Sequence, residues 1–145
     1  CRRLHVSNMY RDIAVMTARE HGNIRRSSEL RSKTAVMVLE RCDAFRRPER
    51  FVDVINATEC DLRGRKSDTV SFEDIPFPQR DYWMMILNAA KSIDAAAIIQ
   101  SMDDASEEIP RALHNARVDA AADAVNAMRF GHIKKIEVGK KDAIP

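Results

Sequence analysis

Asp61 and His21 are two titratable side chains whose types could take part in chemistry. Asp61 carries a carboxylate in the string ECDLRGR, and His21 carries an imidazole directly after Glu20. Carboxylates are preferred by hard divalent ions such as Mg²⁺, and imidazole suits transition metals. Each residue also has an ordinary alternative. Asp61 could form an i,i+4 ion pair with Arg65, and His21 could simply interact with the C-terminal end of its helix.

Six basic side chains form two groups that could follow nucleic-acid phosphates. The first group lies at a predicted helix junction and the second at the next helix end: Arg46, Arg47 and Arg50, then Arg63, Arg65 and Lys66. Arginine suits phosphate because its planar guanidinium donates several hydrogen bonds at once. Acidic neighbours could instead neutralise these groups: Asp43, Glu49, Asp53 and Asp61. Arg63 and Arg65 could also satisfy the last carbonyls of their helix.

The charge of the chain is divided unevenly. It has 24 Lys and Arg residues against 22 Asp and Glu residues, a net charge of +2. Residues 1–66 carry 15 basic and 9 acidic residues, a net of +6, and residues 67–145 carry 9 and 13, a net of −4. Of the 24 basic residues, 17 are arginines. This distribution is expected if one face binds nucleic acid, and a merely solvated surface would explain it as well.

Motifs for several reaction classes are absent from the sequence. It contains no Walker loop, GxGxxG, GxSxG or HExxH, and no paired acidic residues after a Gly-Ser turn. Cys1, Cys42 and Cys60 form no CxxC pair, which argues against a disulfide framework or a zinc site. We therefore expect Cys42 and Cys60 to be small core residues on helices. No apolar run approaches the ~20 residues of a membrane helix, so the expected location is the cytoplasm, with no membrane partner.

The elements that carry the candidate residues are predicted to be helices, because their apolar residues recur at helical spacing. A first helix is predicted between Ser7 and Gly22, with apolar positions at helical spacing. A second helix begins near Ser32, with an apolar face on Ala35, Val38, Leu39, Cys42 and Phe45. A third is predicted from Pro48 to Gly64, because proline is tolerated in a first turn and glycine favours a helix end.

The second half of the chain is also predicted to be helical. A loop from Gly64 to Gln79 precedes a helix that carries Trp83, a short apolar segment AAAIIQSM, and a last helix capped by Ser106. Residues 131–145 are predicted to be a loose basic tail or one stray strand. The fold class is therefore all-α, a helical bundle in two parts. The predicted domains are 1–66, 67–130 and the tail 131–145.

Several word-strings in the expected order resemble one family. They are CRRLHVSNMYRDIA, the Glu20–His21 pair, DAFRRPERF, ECDLRGR and FEDIPFPQRDYW. Together they resemble bacterial multifunctional CCA-adding enzymes, over Cys1 to about Ala124. This resemblance implies the C-terminal part of an HD domain followed by a helical tail. The His-Asp dipeptide that defines the HD domain is missing and is expected upstream, and Arg25 stands where the family often has a second histidine.

The resemblance implies a function for the longer parent. The parent would be a tRNA nucleotidyltransferase that adds CCA to tRNA 3′ ends from CTP and ATP. Its HD domain could hydrolyse 2′,3′-cyclic phosphates, 2′-nucleotides or phosphate esters with a divalent metal, Mg²⁺ or a transition metal. His21 and Asp61 would be candidate metal ligands. This chain alone is expected to be inactive, and the alternative is a non-catalytic helical module for tRNA binding or homodimerisation.

Overall fold

The computed structural model describes residues 3, 5–64, 75–102 and 108–141, with side chains described up to residue 129. Every regular element in these ranges is helical, so the predicted all-α class is confirmed. The elements are α1 (Asn8–Arg25), a 3₁₀ turn (Ser27–Glu29), α2 (Ser32–Arg41), α3 (Pro48–Arg63), α4 (Gln79–Lys91), α5 (Ala95–Gln100) and α6 (Ile109–Lys141).

Helix α3 has the ends that its sequence predicts. Pro48 occupies the first turn, where its missing N–H would have no partner inside the helix, and Glu49 adds a favourable negative charge there. At the other end Gly64 caps the helix, and its N–H donates to the carbonyl of Cys60 at 2.8 Å. These local signals fix the length of the helix that carries Asp61.

Helix α1 continues one turn past the predicted stop at Gly22. The N–H of Arg26 donates to the carbonyl of Gly22 at 3.3 Å, and the helix ends at Arg25. Gly22 does not adopt the positive φ that would make glycine a helix terminator. Burial of the Ile24 side chain, which is 0% exposed, stabilises this extra turn. The prediction that Gly22 ends the helix is therefore wrong.

Helix α6 continues through residue 131, where a loose tail or stray strand was predicted. Its backbone is helical as far as Lys141. The lysine and isoleucine residues in this stretch have ordinary helix propensity, and each of the two glycines costs only about 1 kcal/mol relative to alanine. The tail prediction is wrong for residues 131–141. Residues 142–145 lie outside the described ranges, as do Ser106 and most of the predicted loop after Gly64.

Trp83 lies at the centre of the core. Its ring meets those of Phe51 and Tyr82 edge to face, with ring centroids 5.6 Å and 6.1 Å away. The indole Nε1–H donates to the carbonyl of Ile24 at 3.2 Å, so the buried polar atom of Trp83 has a partner. Because Trp83 belongs to α4 while Phe51 and Ile24 belong to α3 and α1, the two predicted parts pack around one shared core. The predicted domain boundaries themselves stay predictions.

Candidate functional site

Helices α1 and α3 pack side by side and bring His21 and Asp61 to the same cleft. The cleft is open, with a volume of about 500 Å³. It is lined by Tyr10, Ile13, Ala14, Thr17, Ala18, His21, Ala57 and Asp61. Most of the lining residues that the structure describes are apolar, and the titratable groups among them are the imidazole of His21, the carboxylate of Asp61 and the phenol of Tyr10. The two candidate metal ligands, which the resemblance implies for one site, therefore line the same cleft.

The ring of His21 is held by the backbone of its own helix. Its Nδ1 lies 3.2 Å from the carbonyl oxygen of Thr17 and 3.1 Å from that of Ala18. Carbonyl oxygens only accept hydrogen bonds, so Nδ1 must carry the proton. In the neutral ring Nε2 then keeps its lone pair, the form in which histidine accepts a proton or binds a metal. The contact with the backbone thus orients His21 for either role.

Asp61 lies on the exposed side of α3, in its last turns. Arg65, the predicted i,i+4 partner, lies outside the described residues, so the ion-pair alternative stays a prediction. In the described part of the chain, no group of three His, Cys, Asp or Glu side chains is arranged to hold a metal ion. His21 and Asp61 could therefore supply only part of a zinc-type site, because catalytic zinc ions usually have three protein ligands.

An ion pair beside His21, with a buried carboxylate and a half-buried arginine, was missed by the sequence interpretation. The Glu20 side chain is 2% exposed and accepts hydrogen bonds from Arg41 Nε at 2.7 Å and Arg41 Nη2 at 2.9 Å. Asn23 donates a third at 2.8 Å. Burial alone would raise the pKa of Glu20, but the hydrogen bonds from Arg41 and Asn23 and the charges of Arg41 and Arg19 outweigh it, so the pKa is lowered. The pair fixes α1 against α2, next to the residue that carries the imidazole.

One signal in the sequence could have identified this pair. Glu20 falls on the buried stripe of α1 at helical spacing from Ile13, Met16 and Ile24. A carboxylate on such a stripe requires a buried cationic partner, because burying an unpaired charge is costly. Which cation forms the pair depends on how α2 packs against α1. No sequence pattern around Arg41 indicates that packing.

Of the two cysteines predicted to be core residues on helices, only Cys42 is buried, and it lies directly after α2. Cys42 is fully buried, as predicted, and burial raises the pKa of its thiol to about 12. Cys60 is exposed, which makes the prediction wrong for that residue. Asp61, the next residue along α3, is exposed as well. The two thiols should therefore differ strongly in reactivity.

The first arginine group is partly neutralised by nearby carboxylates. Asp43 pairs with Arg46 at 3.1 Å and with Arg47 at 3.9 Å, as the alternative interpretation expected. Arg50 Nη2 instead lies 3.5 Å from Asp12 on α1, a partner that the sequence did not indicate. The side chains of Arg46 and Arg47 remain 75% and 52% exposed. Exposed ion pairs contribute little to stability, so both guanidiniums stay accessible to a phosphate.

Of the second group, only Arg63 lies within the described residues. Its Nη2 lies 2.7 Å from Glu59, which also pairs with Arg80 at the beginning of α4. Arg80 donates a further hydrogen bond to Asn56 at 2.7 Å. Glu59 therefore links α3 and α4, a structural role that the sequence interpretation missed. Arg65 and Lys66 lie outside the described residues, and their predicted contact with RNA stays a prediction.

The chain is similar to known proteins over most of its length. The chain is 49% identical over 133 residues to a multifunctional CCA protein of Herminiimonas arsenicoxydans, covering 89% of this chain. It is 48% identical over 128 residues to that of Janthinobacterium sp. (strain Marseille), covering 86% of this chain. This chain matches part of the multifunctional CCA proteins. The predicted resemblance is confirmed.

The match covers only a fraction of each multifunctional CCA protein. The aligned residues are 31% of the Herminiimonas protein, 30% of the Janthinobacterium protein and 29% of that of Cupriavidus pinatubonensis. No protein-family model and no solved structure matches the chain. Within the described ranges, no helix is both long enough and apolar enough to cross a membrane.

Proposed function

We propose that this chain is the C-terminal part of a CCA-adding tRNA nucleotidyltransferase. The longer protein would add C, C and A to tRNA 3′ ends in the cytoplasm, with CTP and ATP as substrates. The observation that carries this proposal is the identity of 43% to 49% with multifunctional CCA proteins over most of the chain. Identity at this level across at least 84% of a chain is far more than shared helical composition would produce.

The chain by itself is proposed not to polymerise nucleotides. Nucleotidyl transfer needs acidic residues that hold metal ions at the transferred phosphate, and the sequence has no acidic pair after a Gly-Ser turn. The test is incorporation of labelled CTP and ATP into tRNA that lacks its CCA end. The purified chain should give no incorporation, and measurable incorporation that depends on this chain would refute the proposal.

A second proposed activity is metal-dependent phosphohydrolysis in the longer protein. It is supported by the cleft that His21 and Asp61 share, and by the orientation of His21, whose Nδ1–H faces the backbone and leaves Nε2 as the ring atom that could bind a metal. His21 and Asp61 would hold a divalent ion, Mg²⁺ or a transition metal, together with ligands from elsewhere in the protein. The ion would activate water or polarise the phosphate ester. Asp61 would supply the carboxylate and His21 the neutral imidazole.

The test of this activity compares substitutions of two exposed carboxylates on α3. Asp61→Asn in the longer protein should abolish metal-dependent hydrolysis of a 2′,3′-cyclic nucleotide. Asp53→Asn removes an exposed carboxylate from the same helix, outside the cleft, and should leave hydrolysis unchanged. Equal activity of the Asp61 variant, or no hydrolysis by the wild-type protein with any divalent ion, would reject the proposal.

The alternative function is a non-catalytic helical module that binds tRNA. It is supported by the exposed guanidiniums of Arg46 and Arg47 and by the basic N-terminal half. Filter binding of tRNA across a salt series should then give an affinity that falls steeply with salt, because each phosphate contact releases a counterion. Replacing both arginines with glutamine should reduce the slope by about 2. An unchanged slope would exclude contact by these two residues.

Homodimerisation is the other role proposed for such a module. It is supported by three exposed apolar side chains on α1, since Met9, Tyr10 and Val15 are 54%, 63% and 60% exposed. Sedimentation equilibrium of the purified chain should then give a dimer that Val15→Glu dissociates. A monomer at every concentration would remove this alternative.

A further inference from the structure

Glu20 and His21 are consecutive residues of α1 that face different sides of the helix. Successive side chains on an α-helix are about 100° apart around its axis. The Glu20 side chain is 2% exposed and pairs with Arg41 of α2, while His21 lines the cleft between α1 and α3. A rotation of α1 about its axis would move both side chains together. The contacts that hold Glu20 therefore also affect where the imidazole faces.

Glu20 is one of the few buried side chains of α1. Among residues 8–25, all of which the structure describes, only Glu20 and Ile24 are buried. Ile13 and Met16 are partly buried against the core. Such apolar contacts have no preferred direction, because the hydrophobic effect depends on buried area alone. The rotation of α1 must therefore depend strongly on the polar contacts of Glu20.

The pair between Glu20 and Arg41 has a geometry that fixes a direction. Arg41 Nε and Nη2 donate to the two carboxylate oxygens at 2.7 Å and 2.9 Å, and Asn23 donates to one of these oxygens at 2.8 Å. Two parallel hydrogen bonds between a guanidinium and a carboxylate add geometric specificity to their attraction. An apolar pair of similar volume is often as stable as a buried ion pair, or more stable. A defined direction is what the ion pair provides and an apolar pair does not.

The distance of a group from the helix axis determines how far a rotation moves it. Side-chain ends lie ~5–6 Å from the axis, and the backbone lies ~2.3 Å from it. A rotation of α1 by ~20° would move the carboxylate of Glu20 by ~2 Å, which is enough to break both hydrogen bonds to Arg41. The same rotation moves a backbone carbonyl by less than ~1 Å. The two hydrogen bonds that α4 donates to carbonyls in the last turn of α1 therefore resist rotation less.

The described hydrogen bonds of His21 do not restrain this rotation. Its Nδ1 contacts the carbonyl oxygens of Thr17 and Ala18, which belong to the same helix and rotate with it. A rotation of ~20° would displace the imidazole by ~2 Å, as it does the carboxylate of Glu20. A misplacement of about 1 Å can lower a reaction rate by about 10²-fold. The position of the imidazole in its cleft is thus sensitive to a pair on another side of the helix.

We propose that Arg41 is a positioning residue for His21. Through Glu20 it fixes the rotation of α1 and keeps the imidazole in the cleft that contains Asp61. The kinetic part of the test rests on the proposed hydrolysis, whereas the orientation of α1 can be measured in the purified chain without any substrate. A purely stabilising role is different, because it predicts no change of orientation in a variant that remains stable.

The first test replaces the ion pair with an apolar pair, Glu20→Leu together with Arg41→Met. This double variant leaves no carboxylate or guanidinium of the pair without its partner, so it should unfold at no lower urea concentration than the wild-type chain. NMR should nevertheless show altered nuclear Overhauser contacts between the side chains of α1 and α3 that line the cleft. Unchanged contacts in the folded double variant would overturn the proposal.

The kinetic test uses the same double variant in the longer protein. The kcat for hydrolysis of a 2′,3′-cyclic nucleotide should fall by roughly 10- to 100-fold. Glu40→Gln is the matched control, because Glu40 directly precedes Arg41 but lies 3.0 Å from His114 of α6, and this variant should keep the wild-type kcat. An unchanged kcat in the double variant, or an equal loss in the control, would contradict the proposal.

Two further outcomes are separated by design. If the wild-type longer protein hydrolysed no cyclic nucleotide, the proposed hydrolysis would fail, and the contacts measured by NMR would still decide the role of Arg41. If the double variant did not fold, Arg41→Lys would replace it, because lysine keeps the charge beside Glu20 but lacks the planar guanidinium. Altered contacts between α1 and α3 are expected in that variant as well. Wild-type contacts in a folded Arg41→Lys variant would overturn the proposal.

Discussion

Replacing Arg41 should destabilise the chain more than replacing any of its exposed arginines. Arg41→Met keeps much of the side-chain volume and removes both hydrogen bonds to Glu20, whose carboxylate is 2% exposed. Removing one partner of a buried ion pair typically costs about 3–5 kcal/mol, because a charge remains buried without its partner. Asn23 still donates one hydrogen bond to Glu20, so the expected loss lies near the lower end, about 3 kcal/mol at pH 7.

The pH dependence of the loss has a definite sign. In the wild-type chain the pKa of Glu20 is lowered from its ordinary value of 4.5. A lowered folded-state pKa contributes stability that is present above pH 4.5 and is lost as the pH falls through the lower folded value. In Arg41→Met, burial still raises the pKa of Glu20, while the hydrogen bonds and the charge of Arg41 no longer lower it. The pKa of Glu20 should therefore rise in the variant. The difference in the free energy of unfolding between the wild-type chain and the variant should therefore become smaller as the pH falls and the carboxyl of Glu20 protonates.

The assay is urea unfolding of the wild-type chain and the variant at pH 7 and near pH 5, followed by circular dichroism. Arg46→Met is the matched control, because it removes a guanidinium that is 75% exposed and paired with Asp43. Its effect should stay within about 0.5 kcal/mol. The account of this pair would be refuted if Arg41→Met lowered the free energy of unfolding by less than about 1 kcal/mol at pH 7. It would also be refuted if the difference from the wild-type chain grew between pH 7 and pH 5.

Two further predictions concern the core and the cysteines. Trp83→Phe should lower the free energy of unfolding by about 2–4 kcal/mol in urea titrations, because it leaves a void and removes the donor to the buried carbonyl of Ile24; a loss below 1 kcal/mol would contradict the central position of Trp83. Cys60 should react with iodoacetamide much faster than Cys42, as followed by mass spectrometry, because Cys60 is exposed while Cys42 is buried with a pKa of about 12. Equal rates would contradict the burial of Cys42.

Local chain signals accounted for the helices that the sequence predicted well. Pro48 and Gly64 fixed the ends of α3, and the apolar spacing of Ala35, Val38 and Leu39 identified the buried face of α2. These signals act within one or two turns, so they can be read from the sequence alone. The prediction that α1 ends at Gly22 was wrong because glycine is tolerated inside a helix when neighbouring residues such as Ile24 bury enough apolar surface.

Pairings between helices could not be read in the same way. Arg80 with Glu59 and His114 with Glu40 each join residues far apart in sequence, and the guanidinium of Arg117 lies 3.9 Å from the ring centre of Phe45. Such pairs depend on the angle and register at which helices pack. The shared cleft of His21 and Asp61 likewise follows from the packing of α1 on α3. The family resemblance selected both residues for one site, and the packing of α1 on α3 brings them to one cleft.

The most direct test of the central claim compares nucleotide addition by two proteins. One is this chain alone, and the other is the longer protein of which it is proposed to be the C-terminal part. Each is incubated with Mg²⁺, CTP, ATP and tRNA that lacks its CCA end. We predict CCA addition by the longer protein and none by this chain. CCA addition by this chain alone, or no CCA addition by the folded longer protein, would contradict the claim.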